Sequence, residues 1–262
     1  MADSKLERAH LNLVDSSRQF FELDPGAAIE AKPGWLFGAG SSTHPVISNA
    51  AFRRDDSVDA EDFVARANEF FAARGRGFSI WVRAGQSADS DLAAAAETAG
   101  FQAVYEMPEM LLGEELATEP LPAGAELRRL NDEDEAPGFW QVAKGAYMSN
   151  GFPPEVFAGY TNHSGLLAEN VAAFAVHFDG TPVSIAMTIV SHRVAGIYWV
   201  GSVEQARGRG LGRAVTVAAT NAGLALGADF ASLQASPMGK PIYIDLGYET
   251  AFSYRLLMSP PS

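Results

Sequence analysis

The sequence contains no cysteine, which excludes disulfides, thiolate metal centres and cysteine nucleophiles. No apolar run approaches the ~18 residues that a bilayer span requires. Basic residues are scarce: 19 Lys and Arg stand against 32 Asp and Glu, for a net charge of -13. A surface of that sign repels nucleic acid and anionic membranes and mildly attracts a cationic small molecule. His163 and His177 are lone histidines without ligand spacing, so no metal site is expected. The opening MADSKLERAHLNLVDSS is too polar for the apolar core of a signal peptide. The expectation is a cytoplasmic protein that binds neither nucleic acid nor membrane.

What is present suffices for a core. The chain has 262 residues, 47% of them hydrophobic, which excludes wholesale disorder and suggests one large or two small domains. GEELATEPLPAGAE (113–126) combines two prolines with several acids and few large apolar residues, and reads as a linker. It separates an N-terminal domain (1–115) from a C-terminal one (125–262), with 116–124 between them. Both parts end alike. FSIWVRA (78–84) is strand-like, SDLAAAAETA (90–99) is helix-like, and Gly100-Phe101 precede the strand-like QAVYEMPEMLL. FASLQAS (230–236) is again strand-like, PMGKPIYIDL (237–246) is a short helix, and Gly247-Tyr248 precede ETAFSYRLLMS. The repetition predicts a duplicated domain.

The second part carries more signal. AELRRLN (125–131) predicts a strand, DEDEAPGFWQVAKGAYM a helix with acids at its start, and PPEVFAGYTNH a second short helix opened by prolines. VAAFAVHF and TPVSIAMTIVS form a hairpin through Asp179-Gly180, a pair that suits positive φ, and RVAGIYWVGSV (193–203) adds another strand. The pattern β-α-α-β-β-β-loop-α-β-α-β predicts a mixed sheet with helices on its faces.

ARGRGLGRAV (206–215) leaves that last strand and enters a helix whose Leu211, Ala214, Val215, Ala218 and Ala222 share a face, with Gly227 placed to end it. A helix N-terminus offers free N–H groups and the positive end of the dipole, and glycines let an anion approach them. Arg207, Arg209 and Arg213 concentrate positive charge in an otherwise acidic protein, which points to a polyanionic ligand. The alternating Gly208, Gly210 and Gly212 do not fit the dinucleotide fingerprint, and no Gly-Lys-Ser/Thr ending is present for a phosphate-binding NTPase loop.

Arg207, Gly210 and Gly212 do fit R-x-x-G-x-G, and this resembles the pyrophosphate signature of the GNAT superfamily of N-acetyltransferases. The resemblance extends over residues 125–259: the element order is similar, and Tyr243-Ile-Asp-Leu-Gly247-Tyr248 looks like that family's Y-x-x-x-G-F ending. Ser236 stands seven residues before the tyrosine, where the family often has Asn.

The resemblance implies α/β architecture with two GNAT-like domains, each a mixed, mostly antiparallel sheet flanked by helices. It implies acetyl-CoA as co-substrate, with the diphosphate on the Gly208–Gly212 amides beside Leu211 and the arginines. The pantetheine arm would pair along Gly201, Ser202 and Val203, and Ser236 would lie close by. Tyr243 is implied as the group that protonates the leaving thiolate. The strand IYWVGSV carries no acid, so Glu204 at its end and Ser202 are the candidates left for handling the amine proton. The acceptor pocket falls to AYMSNGFPPEVFAGY, with Tyr147, Phe152 and Tyr160 as its lining. The acceptor is an amine of a small molecule or peptide, and the protein a monomer or homodimer. The first half resembles a degenerate copy. Ala96 stands where the second half has Tyr243, and the acid-led helix within FRRDDSVDAEDFVARANEFF replaces the glycine loop. A catalytically silent acyl-CoA sensor is the alternative, and it would have no need of Tyr243.

Overall fold

The two matching chain endings become two matching units. In the computed structural model, which describes residues 4–260, the first unit begins with α1 (Lys5–Glu22). An antiparallel meander of β1 (Ala28–Lys32), β2 (Trp35–Ala39) and β3 (Asn49–Arg53) follows. Then α2 (Ala60–Ala72) crosses to β4 (Ser79–Ala84), parallel to β3, and α3 (Ser90–Thr98) leads to β5 (Gln102–Leu112).

The second unit repeats this order behind an added strand, β6 (Ala125–Arg129). Helix α4 (Ala136–Met148) precedes the meander β7 (Val171–Phe178), β8 (Thr181–Ser191) and β9 (Val194–Ser202). Then α5 (Leu211–Ala225) crosses to β10 (Phe230–Gln234), parallel to β9, and α6 (Lys240–Asp245) leads to β11 (Glu249–Met258). The local signals behave as expected. Gly100 and Gly247 end α3 and α6 at φ +88° and +91°, Gly227 follows α5 at φ +97°, and Asp179-Gly180 turn the hairpin with both residues at positive φ.

The units share one eleven-stranded sheet, ordered β1-β2-β3-β4-β11-β5-β10-β9-β8-β7-β6. Their last strands are exchanged. β11 pairs with β4 of the first unit, β5 pairs with β10 of the second, and β5 and β11 lie antiparallel between them. Helices α1 and α4 cover one face, where Leu13, Phe139, Trp140, Tyr198, Trp199 and Tyr254 are buried together. The other face is covered by α5 and α6 over the second unit (Val215, Leu233, Tyr243) and by α2 and α3 over the first (Phe63, Phe71, Leu92). Each such side chain, fully buried, stabilises by roughly 1.5–3 kcal/mol.

Helix α1 bolts the halves together. Asn12 donates from Nδ2 to the carbonyls of Ile189 and Val194, both at 3.0 Å, and its Oδ1 accepts from the Tyr198 hydroxyl at 2.8 Å. His10 Nε2 lies 2.7 Å from the Arg53 carbonyl and so carries the proton, which leaves Nδ1 to accept from the Tyr254 hydroxyl at 3.0 Å. Burial drives the His10 pKa down to about 4, so the ring is neutral.

One expected element differs. PPEVFAGYTNH forms no α-helix. It makes one 3-10 turn at Pro154–Phe157, and a second follows at Ser164–Leu167. Proline and glycine interrupt the ladder. The amides of Thr161 and Asn162 instead donate to Leu23 O of the first half, at 3.1 and 2.9 Å. A tertiary bond outweighs local propensity here.

Candidate active site

β9 and β10 pair over three positions only, from Phe230–Val194 to Ser232–Gly196. Past Gly196, β9 runs on to Ser202 without β10 beside it, so a cleft opens between the two strands. On its other side β9 carries a bulge. Ile185 faces Gly201 and Met187 faces Tyr198, so Ala186 opposes both Trp199 and Val200. Trp199 has φ +54°, a left-handed conformation that costs a bulky residue on the order of 1–3 kcal/mol. Packing holds it there. Its ring lies 5.2 Å from that of Tyr147, 5.3 Å from Trp140, 5.5 Å from Tyr160 and 5.8 Å from Phe20 and Phe157. The bulge takes backbone groups of Trp199 and Val200 out of the ladder, level with the cleft.

The glycine loop closes one end of that cleft. Gly208 and Gly210 adopt φ +73° and +77°, and Gly210 is the N-cap of α5 without a side-chain cap. The first helical bond of this turn is Ala214 N–H to Gly210 O at 3.0 Å. The N–H groups from Gly208 through Arg213 have no hydrogen-bond partner among the described residues. They form a row of bare donors at the positive end of a fifteen-residue helix.

The three arginines have separate employment. Arg207 reaches back to Ser202 O and Ala146 O, both at 3.3 Å, and to Ser149 Oγ, fastening the loop to the C-terminal end of α4. Arg209 lies exposed over the Phe178 ring at 5.1 Å. Arg213 pairs with Glu119 of the linker at 3.1 Å. Leu211 is buried against the sheet and seats the helix.

Tyr243 projects from α6 onto the α5 face, with its ring against Gly239. It is 7% exposed, and its hydroxyl makes no hydrogen bond within the protein. Burial raises its pKa, and the Tyr147 phenol on the opposite face of the sheet adds to the rise. Tyr248, the aromatic partner in the same motif, is different: its hydroxyl is tied to Thr220 Oγ1 at 2.6 Å.

The acceptor-side expectations converge. Tyr147 packs on Phe152 at 5.8 Å and on Trp199, and Tyr160 packs on Trp140 at 4.8 Å. Burial pushes the Tyr147 phenol up to about 12 and raises that of Tyr160. The indole N–H groups of Trp140 and Trp199 are buried there without partners. A groove of about 540 Å³, lined by Trp140, Lys144, Met148, Phe157 and Val203 among others, opens alongside.

Ser202 and Glu204 do not join this cluster. Ser202 Oγ is bonded to Ser184 Oγ at 2.7 Å on the α5 side, beneath Gly212. Glu204 begins a 3-10 turn on the surface. Ser236 Oγ accepts from Gly239 N–H at 3.1 Å, shaping the entry to α6. A buried acid level with the cleft is Glu109, on β5 of the first half, one strand beyond β9's neighbour β10 and bonded to Gln234 of β10. Its only trace in the sequence is a carboxylate between Pro108 and Met110 in an apolar strand.

The equivalent cleft of the first half is closed. β3 and β4 pair from Ala50–Ser79 to Phe52–Trp81, and Arg53 follows. Its fully buried side chain spans the gap to Val58 O at 3.1 Å and to both oxygens of Asp91 at 2.9 and 2.6 Å. Helix α2 is capped by Asp59, which accepts from Asp62 N–H at 3.0 Å, and acids Glu61 and Asp62 fill its first turn. These acids stand where the second half has bare amides.

Residues 118–234 match the family model of an acetyltransferase (GNAT) domain. No curated protein matches the sequence significantly. Solved structures match nearly the whole chain. A GCN5-related N-acetyltransferase from Kribbella flavida is 20% identical with TM-score 0.72, over 97% of this chain and 96% of that one. Another from Sphaerobacter thermophilus is 14% identical with TM-score 0.63, over 98% and 93%. A tandem GNAT protein from the clavulanic acid biosynthesis pathway is 13% identical with TM-score 0.62, over 95% and 96%. The second half of this chain is thus similar over residues 118–234 to a GNAT acetyltransferase domain, and the whole chain shares the fold of these solved structures. Among the described residues, no helix is long and apolar enough to cross a membrane, and no cluster of three or more His, Asp or Glu is arranged to hold a metal ion.

Proposed function

We propose that this protein is an N-acetyltransferase that moves an acetyl group from acetyl-CoA to a primary amine of a small molecule or peptide, with both substrates bound at once. One observation carries the proposal: the row of unpartnered N–H groups from Gly208 to Arg213, opening onto the unpaired edge of β9. A diphosphate fits such a row, because each N–H then gains a charge-assisted bond and the helix dipole favours the charge. Acetyl-CoA would supply the activated acetyl thioester.

The chain's own residues supply the rest. The backbone of Gly201–Val203, on the open side of β9, pairs with the amide groups of the pantetheine arm as a strand edge pairs with a peptide. The backbone freed by the bulge at Trp199–Val200 faces the carbonyl oxygen and stabilises the negative charge it develops. The Tyr243 hydroxyl, free of other partners, donates to the departing sulfur. Tyr147, Phe152, Tyr160 and the indoles of Trp140 and Trp199 orient the amine, and holding both substrates in register lowers the barrier further.

The test is thiol release from acetyl-CoA over a panel of amines. Turnover above background hydrolysis, cut sharply by Tyr243→Phe with the Kd for CoA unchanged, is the expected result. Tight binding of CoA without turnover on any amine would instead identify a sensor.

A further inference from the structure

Glu109 is the one carboxylate at the sheet centre that the scheme above leaves unused. It is fully buried, and Gln234 Nε2 donates to its Oε2 at 2.7 Å. Its second oxygen, Oε1, has no partner, and neither does the fully buried hydroxyl of the neighbouring Ser232. Two adjoining buried polar atoms left unpaired by the protein mark a place where a ligand or a water is held.

Register puts that place beside the start of the cleft. The β9–β10 pairing stops at Ser232–Gly196, and Gln234 lies two residues beyond. Glu109 stands directly across from Gln234. Both are therefore level with the open part of the cleft. The face is also the right one. Ser232 pairs with Gly196, whose side-chain direction points at Asn12 of α1, so Ser232, Gln234 and Glu109 lie on the face covered by α1 and α4. That is the acceptor side, opposite Tyr243.

We infer that Glu109, carried into the second half by the exchanged strand, is the proton acceptor for the amine. The inference rests on the acetyltransferase function proposed above. The ammonium N–H bond breaks and an O–H bond forms on Glu109, by way of a water bound at the Ser232 hydroxyl. The electron pair stays on nitrogen, which bonds to the acyl carbon as the carbon–sulfur bond breaks. The second proton leaves nitrogen for the sulfur, and Glu109 gives its own to solvent before the next turnover.

The environment suits the task. Burial pushes the Glu109 carboxyl up to about 8, with the hydrogen bond from Gln234 opposing the rise. Once ionised, at pH values above that midpoint, a carboxylate with that affinity takes a proton far more readily than a solvated one. The other titratable groups of this layer do not change charge nearby in pH. Tyr198 of β9 and Tyr254 of β11 are raised by burial, and His10 of α1 is held neutral down to about 4. Beyond them, Arg83 and Asp89 form a closed pair at 2.8 Å, and Asp15 is kept ionised by Arg54 and His192 against the effect of its burial.

The experiment is the pH dependence of kcat/KM between pH 5.5 and 10 for the wild type, Glu109→Gln and Gln234→Met, with the Kd for acetyl-CoA measured by calorimetry. The wild type should rise through a midpoint near 8. Glu109→Gln should lower kcat/KM by about 100-fold, lose that midpoint and keep its Kd within about twofold. Gln234→Met removes a donor that favours the ionised form, so its midpoint should move up. A Glu109→Gln enzyme within about threefold of wild type and with the same midpoint overturns the assignment while leaving acetyl transfer standing. If that variant does not fold, an unmoved midpoint in Gln234→Met overturns it. A wild type that turns over no amine overturns the acetyltransferase function and this inference together.

Discussion

Gly210 offers the sharpest test of how the loop grips its ligand. Its φ of +77° lies in the left-handed region, and no atom comes within 4 Å of the position a Cβ would take. A side chain there meets no neighbour, so the whole cost is in the backbone, about 1–2 kcal/mol. Valine, branched at Cβ, is the harsher choice. The loop escapes by rotating φ to negative values, and that rotation swings the amides of Gly210, Leu211 and Gly212 out of line. Losing two hydrogen bonds to a charged group costs about 1.5–3 kcal/mol each, which predicts a rise of at least about 100-fold in the Kd for CoA. Gly212→Ala is the control for geometry. That residue has an ordinary φ, and its added Cβ would sit 3.6 Å from Ser202 Oγ, a normal contact. Alanine there should leave the melting temperature unchanged or raise it, while its methyl group presses on whatever the amide binds. Calorimetry with CoA, beside thermal melts of both variants, checks the pair. A folded Gly210→Val protein that binds CoA as tightly as the wild type would refute the argument.

The two tyrosines of the C-terminal motif should separate chemistry from packing. Tyr243→Phe should cut turnover by about 100-fold or more with little change in melting, whereas Tyr248→Phe, which strands Thr220 Oγ1, should lose about 1 kcal/mol of stability and keep its rate. Arg53→Ala leaves a buried gap in the first-half cleft, and urea denaturation should show a loss of about 2–5 kcal/mol, most of it from the gap because Asp91 is half exposed. Residues 125–262 produced alone lack β5 and leave the β10 edge bare. They should fail to give a cooperative melt as a monomer, and co-production with 1–124 should restore one.

Much of this was legible in the chain because the signals were local. The glycine loop, the Asp179-Gly180 turn, the helix-ending Gly227 and Gly247, and the repeated strand–helix–Gly–aromatic ending each depend on a few consecutive residues. Ala96 in place of Tyr243 already marked the first half as the lesser copy. What escaped depends on contacts between distant segments. The arginines of the loop look alike in sequence, yet Arg207 is a brace to α4 and Arg213 an ion pair with the linker. The bulge that tips Trp199 into a left-handed conformation comes from a mismatch between β8 and β9, which neither strand shows alone. Ser202 and Glu204 stand out because they adjoin the glycine loop in sequence, whereas Glu109, proposed above as the proton acceptor, lies more than ninety positions upstream.

The strand exchange makes the second half depend on the first. Had each half retained its last strand, the first could have been lost without touching the second. Here β5 is the direct neighbour of β10, so the cleft wall of the second half is built on a strand of the first. The same dependence recurs around the aromatic cluster. Phe20 of α1 packs on Trp199, Leu23 O receives the amides of Thr161 and Asn162, and the His44 ring lies 5.5 Å from that of Phe152. These contacts all fall on the acceptor side, and none falls on the glycine loop. The arrangement fits a division of labour under the function proposed above, in which the second half binds the acyl donor and the first helps to shape the surface that receives the amine.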